Sequence, residues 1–295
     1  MHLLKIFIDA LIGNMYKIKV LFLLLLNIRP KQSDFIAENV IVSLTSYGDR
    51  VFKCAIYSVF SILSQSVSPE KVILWLDKTK WNQENIPFLL KRMCTWDRFE
   101  IKFCEDMRSF TKLIPALIEY PDKIIITIDD DIYYSHHLIE KLYQRHREFP
   151  KKICALSCCI PEFETNGNIC TYSHWKEYRR VNSRQQLNEN LLMPQGFGGV
   201  LYPPSAFDKD ILDKEVFMKI SPMADDIWFY VMSIKNKTLR TWVPNSGIKS
   251  YNVDLFRQII TRDRLHDKNV GEKKNDIQLQ DTLDYYGLKL TICNE

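Results

Sequence analysis

Four short apolar runs, each closing on polar or acidic residues and each followed by a stretch long enough for a helix, constrain this chain more than any other feature. They are NVIVSLTS (39–46), KVILWLD (71–77), FEIKFCED (99–106) and DKIIITIDDD (122–131). Rich in branched residues and bounded by turn formers, they read as strands. Segments 51–65, 82–94 and 110–120 between them suit helical crossovers, which parallel neighbours require. The order predicts an α/β fold of Rossmann-like character, a mainly parallel central sheet with helices on both faces. Beyond it, a helix is expected over 136–148 with Ser135 as its cap, a strand over 152–158 and a helix over 224–236. A hydrophobic content of 46% over 295 residues is enough for one large domain or two small ones. The expected division is an apolar and basic N-terminal segment (1–37), a central domain (38–254) with halves 38–135 and 136–254, and a charged, peripheral C-terminal segment (255–295).

In an open parallel sheet, ligands bind beyond the carboxyl ends of the strands. Those ends carry Thr45, Ser46, Asp49 and Arg50, then Asp77, then Glu105 and Asp106, then Asp129, Asp130 and Asp131. The uninterrupted IIITI has the character of a central strand covered on both faces. If the extended conformation persists beyond it, Asp129 and Asp131 share one side and Asp130 takes the other. Three adjacent carboxylates at the mouth of a sheet repel one another unless a cation, a donor or a proton relieves them. Oxygen ligands of this type suit Mg²⁺ or Mn²⁺ with positions left for phosphate oxygens. An acidic turn capping the next helix is the plainer reading of the same triplet.

A second acidic pair, Asp225 and Asp226, opens the expected helix at 224–236, where the helix dipole favours carboxylates. The preceding QGFGGVLYPP supplies glycines that admit a ligand to the backbone, and a carboxylate facing that loop can take a proton from a hydroxyl. The aromatic stretch Tyr172, His174, Trp175 and Tyr178 reads as packing or as a sugar-stacking wall.

The remaining features narrow the class. Forty basic against 36 acidic residues give a net charge of +4, too balanced to point to nucleic acid. Eight cysteines without a CxxC pair suggest neither a zinc ribbon nor a disulfide framework, and read as reduced thiols. The apolar run at 20–26 is shorter than the roughly 20 residues of a bilayer span. No small-residue cleavage site follows it, so it reads as a core helix or as a segment whose basic flanks meet anionic lipid.

Taken in order, VIVSLTSYGDR, VILWLD, TKLIPAL, TIDDDIYY, GFGGVLYPP and ADDIWFY resemble nucleotide-sugar glycosyltransferases of the GT-A fold, similar to family 2 bacterial enzymes of surface-polysaccharide synthesis. The resemblance implies a hexosyltransferase using a nucleotide-diphosphate sugar, foremost a UDP-sugar, and a glycan or lipid-linked glycan acceptor, working in the cytoplasm or on the inner leaflet of the membrane. It places Thr45, Tyr47, Arg50, Asp77, Lys112, Asp129 and Asp130 at the donor nucleotide, and Gly198, Gly199 and Trp175 at the sugar and acceptor. Asp131 with Asp129 would hold Mn²⁺ or Mg²⁺, His266 would be an additional ligand, and Asp226 or Asp225 would be the base of an inverting transfer. The QxxRW ending of processive members is absent, which implies transfer of a single sugar. A Mg²⁺-dependent nucleotidyl- or phosphotransferase and a non-catalytic nucleotide- or glycan-binding protein are the alternatives, although the glycine-rich phosphate loop of the former is missing after the first strand.

Overall fold

The computed structural model describes residues 2–177, 189–244, 248–255 and 273–291. A helix, α1 (His2–Leu25), precedes a seven-stranded sheet. In chain order the strands of that sheet are β1 (Ile36–Thr45), β2 (Ser68–Asp77), β3 (Phe99–Cys104), β4 (Ile124–Thr127), β6 (Ile153–Ala155), β10 (Val200–Tyr202) and β11 (Arg240–Trp242). Across the sheet they lie β3-β2-β1-β4-β10-β6-β11. Only β10 runs against its neighbours. The expected mainly parallel sheet is therefore present. The glycine-punctuated 196–204, read as a loop, instead inserts a strand between β4 and β6, after which Pro203 and Pro204 stop the ladder.

Alternation along the central strands explains why they are apolar throughout. Ile124 and Ile126 of β4 enter one core with Val40, Val42 and Leu44 of β1. Ile125 and Ile41 enter the other with Phe110, Trp228 and Phe229. The first core is roofed by α2 (Arg50–Lys53), α3 (Ala55–Leu63), α4 (Phe88–Met93) and α6 (Leu138–Glu148). The second lies under α5 (Ile114–Glu119), α7 (Lys214–Ile220) and α8 (Asp225–Lys235). Residues 51–65 thus form two helices, broken at Cys54. Ser135 does not cap α6 with its side chain; its carbonyl accepts the Leu138 amide at 3.1 Å, and His137 stands at the cap.

The C-terminal segment is less peripheral than expected. In α9 (Lys274–Tyr285), Leu279 and Leu283 are buried in the second core beside α8. Two small sheets complete the fold: β5 (Ile132–Tyr133) with β12 (Tyr251–Asn252), and β7 (Cys158–Ile160) between β8 (Lys176–Glu177) and β9 (Met193–Pro194). Among the described residues the cysteines are free, and Cys54, Cys154, Cys158 and Cys159 are buried.

Candidate functional site

Chain order runs outward from β1 to β3 on one side, while β4 lies on the other, so the crevice between β1 and β4 is a topological switch point. Ser43 pairs with Thr127, the last residue of β4, and β1 ends two residues further on at Thr45. Beyond the end of β4 the chain does not stay extended. Asp130 and Asp131 form a turn into β5, and α3 holds this return: Ser58 donates to the Ile132 carbonyl at 2.7 Å and accepts its amide at 3.1 Å. Ser61 likewise accepts the Tyr134 amide. The turn replaces the alternation expected for the triplet: Asp130 and Asp131 face one cation together, and Asp129 faces another.

The first cation is Arg50, in the first turn after β1. Its Nε lies 3.1 Å from both Asp130 oxygens, its Nη2 also contacts Asp130, and Nη2 stands 3.2 Å from Asp131. Ser46 Oγ donates to Asp130, and Asn252 Nδ2 to Asp131 at 3.3 Å. Burial alone would lower the Arg50 pKa; Asp130 and Asp131 outweigh it and hold the guanidinium above its ordinary range. Tyr47, largely exposed, lies with its ring 5.5 Å from that guanidinium.

The second cation is Lys112, whose carbonyl accepts the Ser43 hydroxyl at 2.6 Å. Its Nζ lies 3.1 Å from Asp129, 2.9 Å from Asp225 and 4.0 Å from Asp226. Burial opposes the charge on Lys112, but the three carboxylates hold its pKa well above the ordinary value. One ammonium cannot balance three acids, and the deficit falls on Asp226. Burial and then the proximity of Asp225 and Asp129 push its carboxyl up to about 7, against the pull of Lys112 and of the Gly196 amide, which donates to Oδ2 at 3.0 Å. The side chains of Asp226 and Asp129 nevertheless stay 32% and 30% exposed, so both open on the crevice.

Gly196 makes this packing feasible: a Cβ there would lie 2.7 Å from Lys112 Nζ and 2.8 Å from Asp226 Oδ1. Tyr134 joins the two sides, accepting the Asp129 amide at 2.8 Å and donating to the Phe197 carbonyl at 3.2 Å. The Phe197 side chain is exposed. The sequence places Ser46 among the polar residues that end the first strand but singles out none of Gly196, Phe197, Tyr134 and Asn252. For Gly196 alone there was a signal, the glycine spacing of QGFGG, but it was read on Gly198 and Gly199. Gly198 instead abuts Ser157, which a Cβ would meet at 2.7 Å, and Gly199 takes φ +88°.

Other expected residues divide. Thr45 donates to the Trp75 carbonyl within the sheet. Asp77 accepts the Thr79 amide at 2.9 Å, which lowers its pKa, so it is engaged in its own turn. Trp175 does not face an acceptor: it is buried in the second core, its indole donating to the Cys170 carbonyl. Packing rather than a stacking wall accounts for it, with Tyr172 5.0 Å away. His174 is exposed, while Tyr178 and His266 lie outside the described residues.

A divalent ion finds carboxylate oxygens here but no cage: among the described residues no group of three or more His, Cys, Asp or Glu is arranged to hold one. Asp129 has a partly exposed carboxylate, whereas Asp131 is buried against Arg50 and Asn252. This donor set fits only an ion held by one or two carboxylates that takes the rest of its shell from outside the protein, as Mg²⁺ does. No protein-family model matches the chain, and no curated protein matches it either.

Proposed function

We propose that the chain is a metal-assisted glycosyltransferase of the GT-A type, moving one sugar from a nucleotide-diphosphate donor to a hydroxyl of a glycan acceptor with inversion. The observation that carries this reading is Asp226: a carboxylate open to the crevice, oriented by the Gly196 amide and tuned to about 7 beside Lys112. A general base works best with a pKa near the operating pH. Asp225, more buried and 2.9 Å from Lys112, acts through position and charge.

In the transfer, Asp226 takes the proton of the acceptor hydroxyl. The acceptor oxygen then bonds to the anomeric carbon as the bond from that carbon to the diphosphate oxygen breaks, and the diphosphate leaves with the electron pair. Asp129, with Asp131 the second candidate, would hold Mn²⁺ or Mg²⁺, which would supply charge neutralisation to that leaving group. Tyr47, exposed beyond β1, offers a face for the nucleotide base. A mixed sheet wound about a switch point is consistent with a GT-A enzyme using a UDP-sugar in bacterial surface-polysaccharide synthesis on the cytoplasmic side of the membrane.

Thermal melting with a panel of nucleoside diphosphates and nucleotide sugars, each with and without Mn²⁺, tests the reading, because a ligand bound to the folded state raises Tm. One nucleotide family should stabilise the protein in a metal-dependent way. Asp226→Asn should keep that shift and lose sugar transfer. Absence of any shift with metal present would overturn the reading, and undiminished transfer by the variant would remove Asp226 from it.

A further inference from the structure

The helix α1 carries two unlike faces. Ala10, Val20 and Leu24 are fully buried, and Gly13 lies so close to β12 that a Cβ would meet the Asn252 carbonyl oxygen at 2.3 Å. Tyr16 stacks on Tyr133 at 4.1 Å, and Arg92 donates to the Leu24 carbonyl at the end of the helix. The helix is thus fixed to the body through one side. Away from it, Leu11, Met15, Ile18, Phe22 and Leu25 are 48%, 61%, 70%, 61% and 64% exposed. Their spacing of four and three residues aligns them on one face, over about 20 Å at 1.5 Å per residue.

Such a face needs an occupant. A second copy of the helix would form a narrow seam flanked by complementary charges. The flanking positions here are Ile12, Lys19 and Leu26 on one side and Asn14, Leu21 and Ile28 on the other, which offer no acid to Lys19. Leu21, Leu26 and Ile28 are themselves exposed, so the apolar surface is wider than a two-helix seam covers. The exposed charges nearest in sequence, Lys19 on the helix and Arg29 and Lys31 a few residues past its end, are basic; Asp9 lies on the opposite side of the helix, and Asp34 follows only beyond the turn. No helix among the described residues is long and apolar enough to cross a membrane.

We infer that α1 lies flat in the interface of an anionic lipid bilayer, its apolar face among the upper acyl chains and Lys19, Arg29 and Lys31 among the headgroups. The docking is independent of the transferase reading. One consequence does rest on it: because α1 packs on β12, whose Asn252 donates to Asp131, the bilayer would hold the crevice close to a lipid-carried acceptor.

Co-sedimentation of the full chain with vesicles, without donor or acceptor, tests the docking separately from catalysis. Vesicles of phosphatidylcholine with one third phosphatidylglycerol should bind the protein, and pure phosphatidylcholine far less. Ile18→Glu/Phe22→Glu should lower the anionic partition at least tenfold with Tm unchanged, since both side chains are already exposed. Lys19→Glu/Arg29→Glu, which leaves the apolar face intact, should lower it about fivefold or more per charge. Failure of the wild type to bind anionic vesicles, or equal binding by the Ile18/Phe22 variant, would overturn the inference. So would a concentration-dependent dimer, seen by analytical ultracentrifugation, that the Ile18/Phe22 substitutions dissolve while vesicles leave the wild type in solution.

Discussion

Arg50 and Lys112 meet the same acidic turn from opposite sides and leave it in different states. Arg50 faces two carboxylates that Ser46 and Asn252 also serve, and both acids are buried. Lys112 faces three, of which Asp226 gains only one backbone amide and stays partly open. The difference teaches where chemistry can occur. Satisfied charges fix a backbone, whereas an underserved carboxylate beside a cation keeps a proton near neutrality and can exchange it. The triplet that looks like one feature in sequence is therefore two: a hinge of structure at Asp130 and Asp131, and one wall of the Lys112 charge cluster at Asp129.

Breaking the reactive side should have the largest effect. Asp226→Asn keeps the shape and the Gly196 contact but removes the proposed base, and should lower the kcat of the proposed transfer by about 10²–10⁴. Single-turnover transfer measured beside Tm checks it; a loss below tenfold with normal stability would move the base elsewhere. Breaking the structural side should act on folding instead. Arg50→Met strands two buried carboxylates and should cost about 3–5 kcal/mol in urea unfolding at pH 7. A cost below about 1 kcal/mol would mean that Ser46 and Asn252 carry the turn without the guanidinium.

The two sides were not equally legible. Apolar runs and crossover lengths are local signals, and they specified β1, β2, β3 and β4, the helix at 225–235 and the acid-lined crevice. What closes the site is long-range. Serines on an apolar helix, Ser58 and Ser61, turn the triplet away from extended geometry through bonds spanning more than 70 residues. The strand Val200–Tyr202 is three residues long and framed by glycines and prolines, so turn chemistry masked it. Tyr134 reads as one more aromatic, yet its hydroxyl ties Asp129 to Phe197. Trp175 shows the converse, since an aromatic cluster in sequence does not reveal which rings are buried.

Two glycines in one loop sharpen the comparison at a smaller scale. The Cβ of Gly196→Ala would press on the ends of two flexible side chains, Lys112 and Asp226, which can shift at little cost to the fold. Displacing them spoils the geometry of the base, and kcat should fall about 10–100-fold while stability changes by less than about 1 kcal/mol. Gly198→Ala would press on the Cβ and backbone nitrogen of Ser157, which cannot move alone. It should destabilise by about 1–3 kcal/mol, as overpacking does. Equal effects of both substitutions on kcat and on unfolding would erase the distinction between a catalytic and a structural glycine.

The smallest effect is also the most specific. An unfolded aspartate titrates near 3.9, and burial with the neighbouring Asp225 pushes the Asp226 carboxyl up to about 7 in the fold. A raised carboxyl pKa contributes stability that is fully present below the unfolded value and is lost as pH rises through the folded one. Between about pH 4 and 7 the wild type should therefore lose stability that Asp226→Asn, which cannot ionise, retains. Because the side chain is about a third exposed, solvent screening limits that difference to on the order of 1 kcal/mol. Urea unfolding of both proteins at pH 5 and pH 8 measures it. Activity should move the other way, since the base works only when ionised, and kcat/KM should rise with pH through about 7. Opposed slopes of stability and activity over one window, both tied to Asp226, are not expected of a carboxylate that only caps a helix, which would titrate below its ordinary value. Parallel stability profiles for the wild type and Asp226→Asn would show that the Asp226 carboxyl is not raised in the fold.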